Sequence, residues 1–202
     1  NRFGSTNEIG IFEMRDKGLE EVSSPSKYLL SGKLKDTAGS AVVCILEGTR
    51  PLLVEVQALV SRSGFNIPRR QTSGVDYNRA ALLIAVVEKK LGYMLGQEDI
   101  YINVAGGIKV EEPGADLAVV AAIASSFKNR PVSEDTVIIG EVGLAGEVRA
   151  VSHVEKRIQE ASKLGFAKAV IPYENAVDIS GSAKIKLQGV KNIGEAVEAI
   201  IE

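Results

Sequence analysis

From Ser40 onward the chain alternates short apolar strands with longer stretches of helical periodicity, and this alternation admits few architectures. AVVCILEG and PLLVEVQALVS read as two strands, with Gly48, Thr49, Arg50 and Pro51 as the turn between them. SRSGFNIPRRQTSG reads as a polar, basic loop. VDYNRAALLIAVVEKKLG reads as a helix that starts near Asp76 and stops near Gly92. Its run AALLIAVV is apolar all round, which predicts burial between layers. DIYINVAGG is a strand running into a glycine turn, and GADLAVVAAIASS is a second helix with Leu117, Val120, Ala121 and Ala124 on one face. TVIIGEVGLAGEVRAV reads as strand, turn and strand. VEKRIQEASKLG is an amphipathic helix with Val154, Ile158 and Ala161 together, and AKAVIP is a short buried strand. The closing helix carries Ile193, Ala196, Val197, Ile200 and Ile201 as one stripe. The expected class is α/β, or an α+β sandwich.

Residues 1–36 differ from the rest. Ile9, Ile11 and Phe12 suggest a short strand, and the cluster Ser23, Ser24, Pro25, Ser26 marks a turn or a helix start. This segment reads as the end of one domain plus a connector, and the chain, which has no initiator methionine, reads as a piece of a longer protein.

Several chemistries are missing from the sequence. There are 24 basic against 26 acidic residues, which excludes a wholly basic nucleic-acid coat but leaves room for a local patch. No apolar run approaches the ~18 residues of a membrane span, so no membrane partner and a cytoplasmic location are expected. The lone cysteine, Cys44, lies in the apolar run AVVCIL and is expected to be a buried thiol. There is no GxxxxGK[ST] phosphate loop, and no cysteine or histidine cluster of the kind that binds zinc. His153 is the one histidine. It falls at the start of a predicted helix, where a solvated or capping role outweighs a place in a Ser-His-Asp triad.

Two stretches carry a resemblance. YINVAGGIKVEEPGADLAVVAAIASS, followed by IIGEVGLAGEVRAVSHVEKRIQEASKLGFAKAVIP, resembles the proteolytic domain of Lon proteases, and so the ribosomal protein S5 domain 2-like fold. Lon-type enzymes use a serine–lysine dyad in which lysine deprotonates serine. On this alignment the proline before the serine matches Pro113, the serine position falls on Gly114 and the lysine position on Glu155. Ser125 and Ser126 sit about three turns away along the helix and are poor substitutes. The resemblance therefore implies a pseudoprotease, a fragment with no catalytic residues, no metal and no cofactor of its own.

The opening residues Asn1, Arg2, Phe3 and Gly4 match the KNRFG motif of the RadA/Sms family of DNA repair proteins. EIGIFEM, GLEEVSSPS, RRQTSGVDYNR and PGADLAVV are also similar to that family. This second resemblance implies residues 1–36 as the end of a RecA-like ATPase core and connector, and 37–202 as a Lon-protease-like domain. It also implies a parent that is a DNA-dependent ATPase and branch-migration helicase. Such a parent would use ATP, Mg and a structural Zn, form a hexameric ring, and work on DNA beside a RecA-type recombinase. Asn1 to Gly4 would couple this domain to the ATPase, with Arg2 reaching a neighbouring subunit's phosphates.

For the fragment itself, local charge suggests a phosphate-contacting surface. Residues 61–90 hold six cationic against two acidic side chains. The expected DNA-binding residues are Arg62, Arg69, Arg70, Arg79 and Lys109. Base stacking is not expected of this patch. The alternative is a purely structural ring-assembly domain without DNA contact.

Overall fold

The two apolar runs expected as strands pair as a long antiparallel hairpin at the middle of a sheet. They are labelled β3 (Ser40–Glu47) and β4 (Arg50–Arg62). The structure, a computed structural model, describes residues 12–15, 18–22, 24–64, 67–181 and 183–201. Ahead of this hairpin come β1 (Phe12–Arg15) and β2 (Gly18–Glu21), a small antiparallel pair, and the short helix α1 (Pro25–Leu29). Asn1 to Gly4, with Ile9, Ile11 and Ser23, lie outside the described residues.

After β4 come β5 (Arg70–Ser73), α2 (Tyr77–Leu91), β6 (Glu98–Val104) and α3 (Asp116–Lys128). Then follow β7 (Thr136–Ile138), the small hairpin β8 (Glu141–Val142) and β9 (Val148–Arg149), and α4 (Val154–Lys163). The chain closes on β10 (Lys168–Pro172), α5 (Tyr173–Asp178), β11 (Lys186–Val190) and α6 (Ile193–Ile200). The main sheet has the order β11-β10-β7-β3-β4-β6-β5, with parallel pairing except where β4 meets β3 and β6. The expected α/β class is the observed one.

The helix ends follow from local chemistry. The Asp76 carboxylate caps α2 by accepting from Arg79 N at 2.8 Å, and Gly92 ends it in the left-handed region at φ 70°. The Asn192 side chain caps α6 by accepting from Glu195 N at 3.0 Å. His153 occupies the position before α4 with φ 54°, exposed and making no side-chain cap.

Burial corrects one expectation. Every residue of α3 from Asp116 to Ser125 is buried, because the helix packs on β3 and β4 with α2 and α6 beside it. α2, expected to be buried all round, shows Tyr77, Ala81, Leu82 and Ala85 to solvent on one side and buries Ala80, Leu83, Ile84, Val86 and Val87 on the other. Ser125 and Ser126 are structural: Ser125 Oγ accepts from Gly39 N and Ser126 Oγ from Val60 N, each at 2.9 Å. Four elements were not expected from sequence, namely β2, β5 inside the supposed basic loop, α5 and β11.

The N-terminal segment packs on the main sheet at α1. Ser26 Oγ donates to Glu160 Oε1 at 3.0 Å and accepts from Leu53 N at 3.1 Å. Leu29 lies over Gly106, whose φ of 76° and missing Cβ permit the approach; a Cβ there would sit 2.5 Å from Leu29 Cδ2.

Candidate functional site

The turn that starts α3 is held from both sides by an arginine–carboxylate pair. Pro113–Ala115 form one tight turn, with Glu112 before it and Asp116 after it. Arg157, on α4 and 1% exposed, grips Glu112 with two bonds, Nη1 to Oε1 at 2.6 Å and Nη2 to Oε2 at 2.7 Å. It also donates to Cys44 O at 2.7 Å and to Ser152 O at 3.0 Å. Glu112 Oε1 in turn accepts from Leu46 N at 3.0 Å. On the other side Arg79 grips both oxygens of Asp116, its Nε to Oδ1 at 2.9 Å, and donates to Val142 O at 2.9 Å. Val142 N closes the set by donating to Asp116 Oδ2 at 3.0 Å. These bonds tie α2, α3, α4, β3 and β8 to one turn.

Electrostatics follow the burial. Desolvation pushes the Asp116 carboxyl above the ordinary aspartate value and outweighs the bonds from Arg79 and Val142 N–H. The bond to Asp116 raises Arg79 in turn. The Cys44 thiol is pushed up to about 12 by burial, as expected for a core thiol.

A cleft of about 540 Å³ opens beside this turn, lined in part by Gly74, Arg79, Lys109, Glu111, Glu112 and Asp116. Gly74 shapes its wall. With φ 81° it lets Val110 N donate to its carbonyl at 2.7 Å, and a Cβ there would meet Ile108 O at 2.6 Å. Gly114 is buried in the clamped turn, and a Cβ on it would stand 3.7 Å from Arg157 Nη1, an ordinary contact. The structure therefore brings the two dyad positions to neighbouring elements, Gly114 before α3 and Glu155 in the exposed first turn of α4. Sequence reasoning missed Glu112, Asp116 and Arg157. For the two acids the local signal was their place on either side of the Pro113–Ala115 turn.

The basic residues expected to form one surface fall into two groups. Arg62, Arg69 and Arg70 lie at the start of β6, where Arg62 is paired with Glu98 and Arg70 with Ile100. Arg79 and Lys109 instead line the cleft beside the clamped turn. Arg70 is held inward, donating to Leu95 O at 2.8 Å and to Glu98 O. Arg79 is held by Asp116. Arg62 and Lys109 are exposed. Arg69 N donates to Asp99 Oδ1 at 2.7 Å, and this bond holds Asp99 below the usual carboxylate range.

The comparisons with known proteins sharpen the picture. Residues 54–175 match the family model described as subunit ChlI of Mg-chelatase. The chain belongs to the ChlI family. Along its whole length it is also related to DNA repair proteins named RadA. It is 49% identical to that of Halalkalibacterium halodurans over 201 residues, all of this chain and 44% of the relative. It is 51% identical to that of Bacillus subtilis over 197 residues, and 49% identical to that of Listeria monocytogenes over 198, in each case 98% of this chain and 43% of the relative. The chain thus spans less than half the length of these relatives.

One expectation is corrected by these matches. The fragment was expected to be no enzyme, a pseudoprotease. The matching family is described by an Mg-chelatase subunit, and the relatives are RadA proteins; neither name is that of a protease. Gly114 and Glu155 record only that serine–lysine chemistry is missing, which does not make the chain the relic of a protease. The same description, naming a magnesium enzyme, withdraws the ground for expecting no cofactor in this fragment. The described residues do not themselves fit such a group. Among them no three His, Cys, Asp or Glu side chains gather to hold a metal ion, and the sequence has no phosphate loop. Among the described residues no helix is long and apolar enough to cross a membrane.

Proposed function

We propose that the chain is the Lon-protease-like domain of a RadA-type protein that uses ATP to act on DNA in recombinational repair. On this reading residues 1–36 are the end of the ATPase core and its connector, and 37–202 are the domain that contacts DNA and helps assemble a hexameric ring. ATP, Mg and a structural Zn belong to the parent, and a RecA-type recombinase is its working partner. Asn1, Arg2, Phe3 and Gly4 couple the domain to the ATPase. The observation that carries the reading is the similarity to RadA proteins over the whole chain, near half identity. The Lon-like part rests on the Pro113–Gly114 turn opening α3 beside the first turn of α4.

Arg62, Arg69 and Lys109 are the residues proposed to meet phosphate, with Arg70 and Arg79 holding the frame behind them. Contacts of this kind are sequence-independent and weaken with salt. The test is duplex binding by the parent protein across a salt series, for wild type and an Arg62→Ala/Arg69→Ala/Lys109→Ala variant at matched oligomeric state. A weaker affinity and a shallower salt slope are expected. Equal affinities and slopes would remove the DNA role. The internal bonds of Arg70 and Arg79 favour a second reading, a purely structural ring-assembly domain, and a variant that binds normally but no longer assembles would establish it.

A further inference from the structure

A second groove, of about 300 Å³, is lined by the segment before β3 and by β4 and β6, and shares no residue with the clamped turn. Register sets its residues in pairs across β4 and β6, Leu59 beside Tyr101 and Gln57 beside Asn103. Leu59 is 59% exposed, and Leu34 from the connector overhangs the groove at 72%. At the floor lies Glu55, only 3% exposed. Its carboxylate accepts from the Ser40 hydroxyl and from Gln57 Nε2 at 3.2 Å, and among the described residues no lysine or arginine pairs with it. Gln57 Oε1 accepts from Asn103 Nδ2 at 3.2 Å, which leaves Asn103 Oδ1 as a further acceptor at the rim.

A carboxylate withdrawn from water and met only by neutral donors is costly, and proteins keep such groups where a cationic partner completes them. The surroundings select the partner. A phosphate would be repelled by Glu55, and a divalent cation needs more oxygens than one carboxylate and an amide offer. A long basic side chain satisfies every feature: an aliphatic stem against Leu59 and Leu34, a charged head within reach of the Tyr101 ring, and N–H donors for Glu55 and Asn103. We propose that this groove is a docking pocket for an arginine or lysine carried on an extended segment of another protein. The inference does not depend on the DNA reading, which concerns other residues.

The test is an NMR titration of the ¹⁵N-labelled 202-residue chain with N-acetyl-arginine methylamide, its lysine counterpart, the neutral citrulline analogue, and deoxycytidine monophosphate. Saturable shifts are expected at Ser40, Gln57, Leu59 and Asn103 with arginine and lysine. Citrulline should bind at least about tenfold more weakly, the loss of one charge-assisted contact. Glu55→Gln should abolish the shifts while keeping the folded spectrum. If Glu55→Gln does not fold, Asn103→Ala at the exposed rim gives the reading, with an affinity loss expected and an unchanged affinity counting against the pocket. Equal binding of citrulline, or stronger shifts with the nucleotide, would overturn the proposal. Concentration-dependent shifts at the same residues before any ligand is added would overturn the choice of another protein, since the occupant would then be a second copy.

Discussion

Glu112 bonds to the β3–β4 hairpin from outside and Glu55 belongs to its second strand, and the fold treats the two carboxylates in opposite ways. Glu112 receives a buried arginine in bidentate geometry plus a backbone N–H from Leu46. Glu55 receives a hydroxyl and a neutral amide and opens onto a groove. The first arrangement locks a turn, and removing either partner strands a charge. The second leaves room for a partner from outside. Burial alone does not say what a charged residue is for; the charge of its neighbours does.

Removing Arg157 tests this contrast most severely. Arg157→Ala should cost about 3–5 kcal/mol in urea unfolding, because Glu112 would keep its charge without its cation. A loss below about 1 kcal/mol would mean that water already compensates Glu112, and the contrast with Glu55 would collapse. Arg79→Ala should cost less, about 2–3 kcal/mol, since its side chain is one-third exposed and water can partly replace it at Asp116. If the two costs come out reversed, the Asp116 side of the turn is the main clamp.

Glu55→Gln should leave stability unchanged or raise it by about 1 kcal/mol, because an uncompensated charge is replaced by an isosteric amide. A clear destabilisation would show that the Ser40 bond to the charged form matters to the fold itself.

The smallest effect is one of sign. Asp116 lies above the ordinary aspartate value because of burial, so its contribution is fully present below that value and is lost as pH rises through the folded one. Asp99 lies below it because of the Arg69 N–H, so its contribution is present above the ordinary value and is lost as pH falls through the folded one. Carboxyl NMR titration should place Asp99 on the acid side of Asp116, and Asp99→Asn should flatten the acid limb of a stability–pH curve. Coincident midpoints would erase the distinction.

Some of this was legible in the sequence, and the boundary has physical causes. Asp76 and Gly92 marked the ends of α2 because caps are local chemistry. The hairpin of β3 and β4 was legible from its apolar runs and the Gly48–Thr49 turn. The burial of α2 and α3 was not, since an apolar helix does not disclose how many neighbours surround it. β5 escaped because RQTS is short and polar, and only its pairing with β6 makes it a strand. That pairing also sets Tyr101 beside Gln71 on the face next to the basic loop, an aromatic neighbour that no sequence spacing announces. At the clamped turn, Gly114 and Glu155 were named by analogy to a motif. Arg157 was one polar residue of an amphipathic helix until the fold showed it buried 45 residues along the chain from Glu112.

Cys44 supplies a clock. It is the chain's sole thiol, shut inside the sheet with its ionisation pushed to about 12. The thiolate is the reactive form, so an alkylating reagent modifies it only during excursions in which the hairpin parts. The labelling rate in native buffer therefore counts those excursions without any introduced probe. Because the Cys44 carbonyl is bonded to Arg157, the count registers loosening at the clamped turn as well.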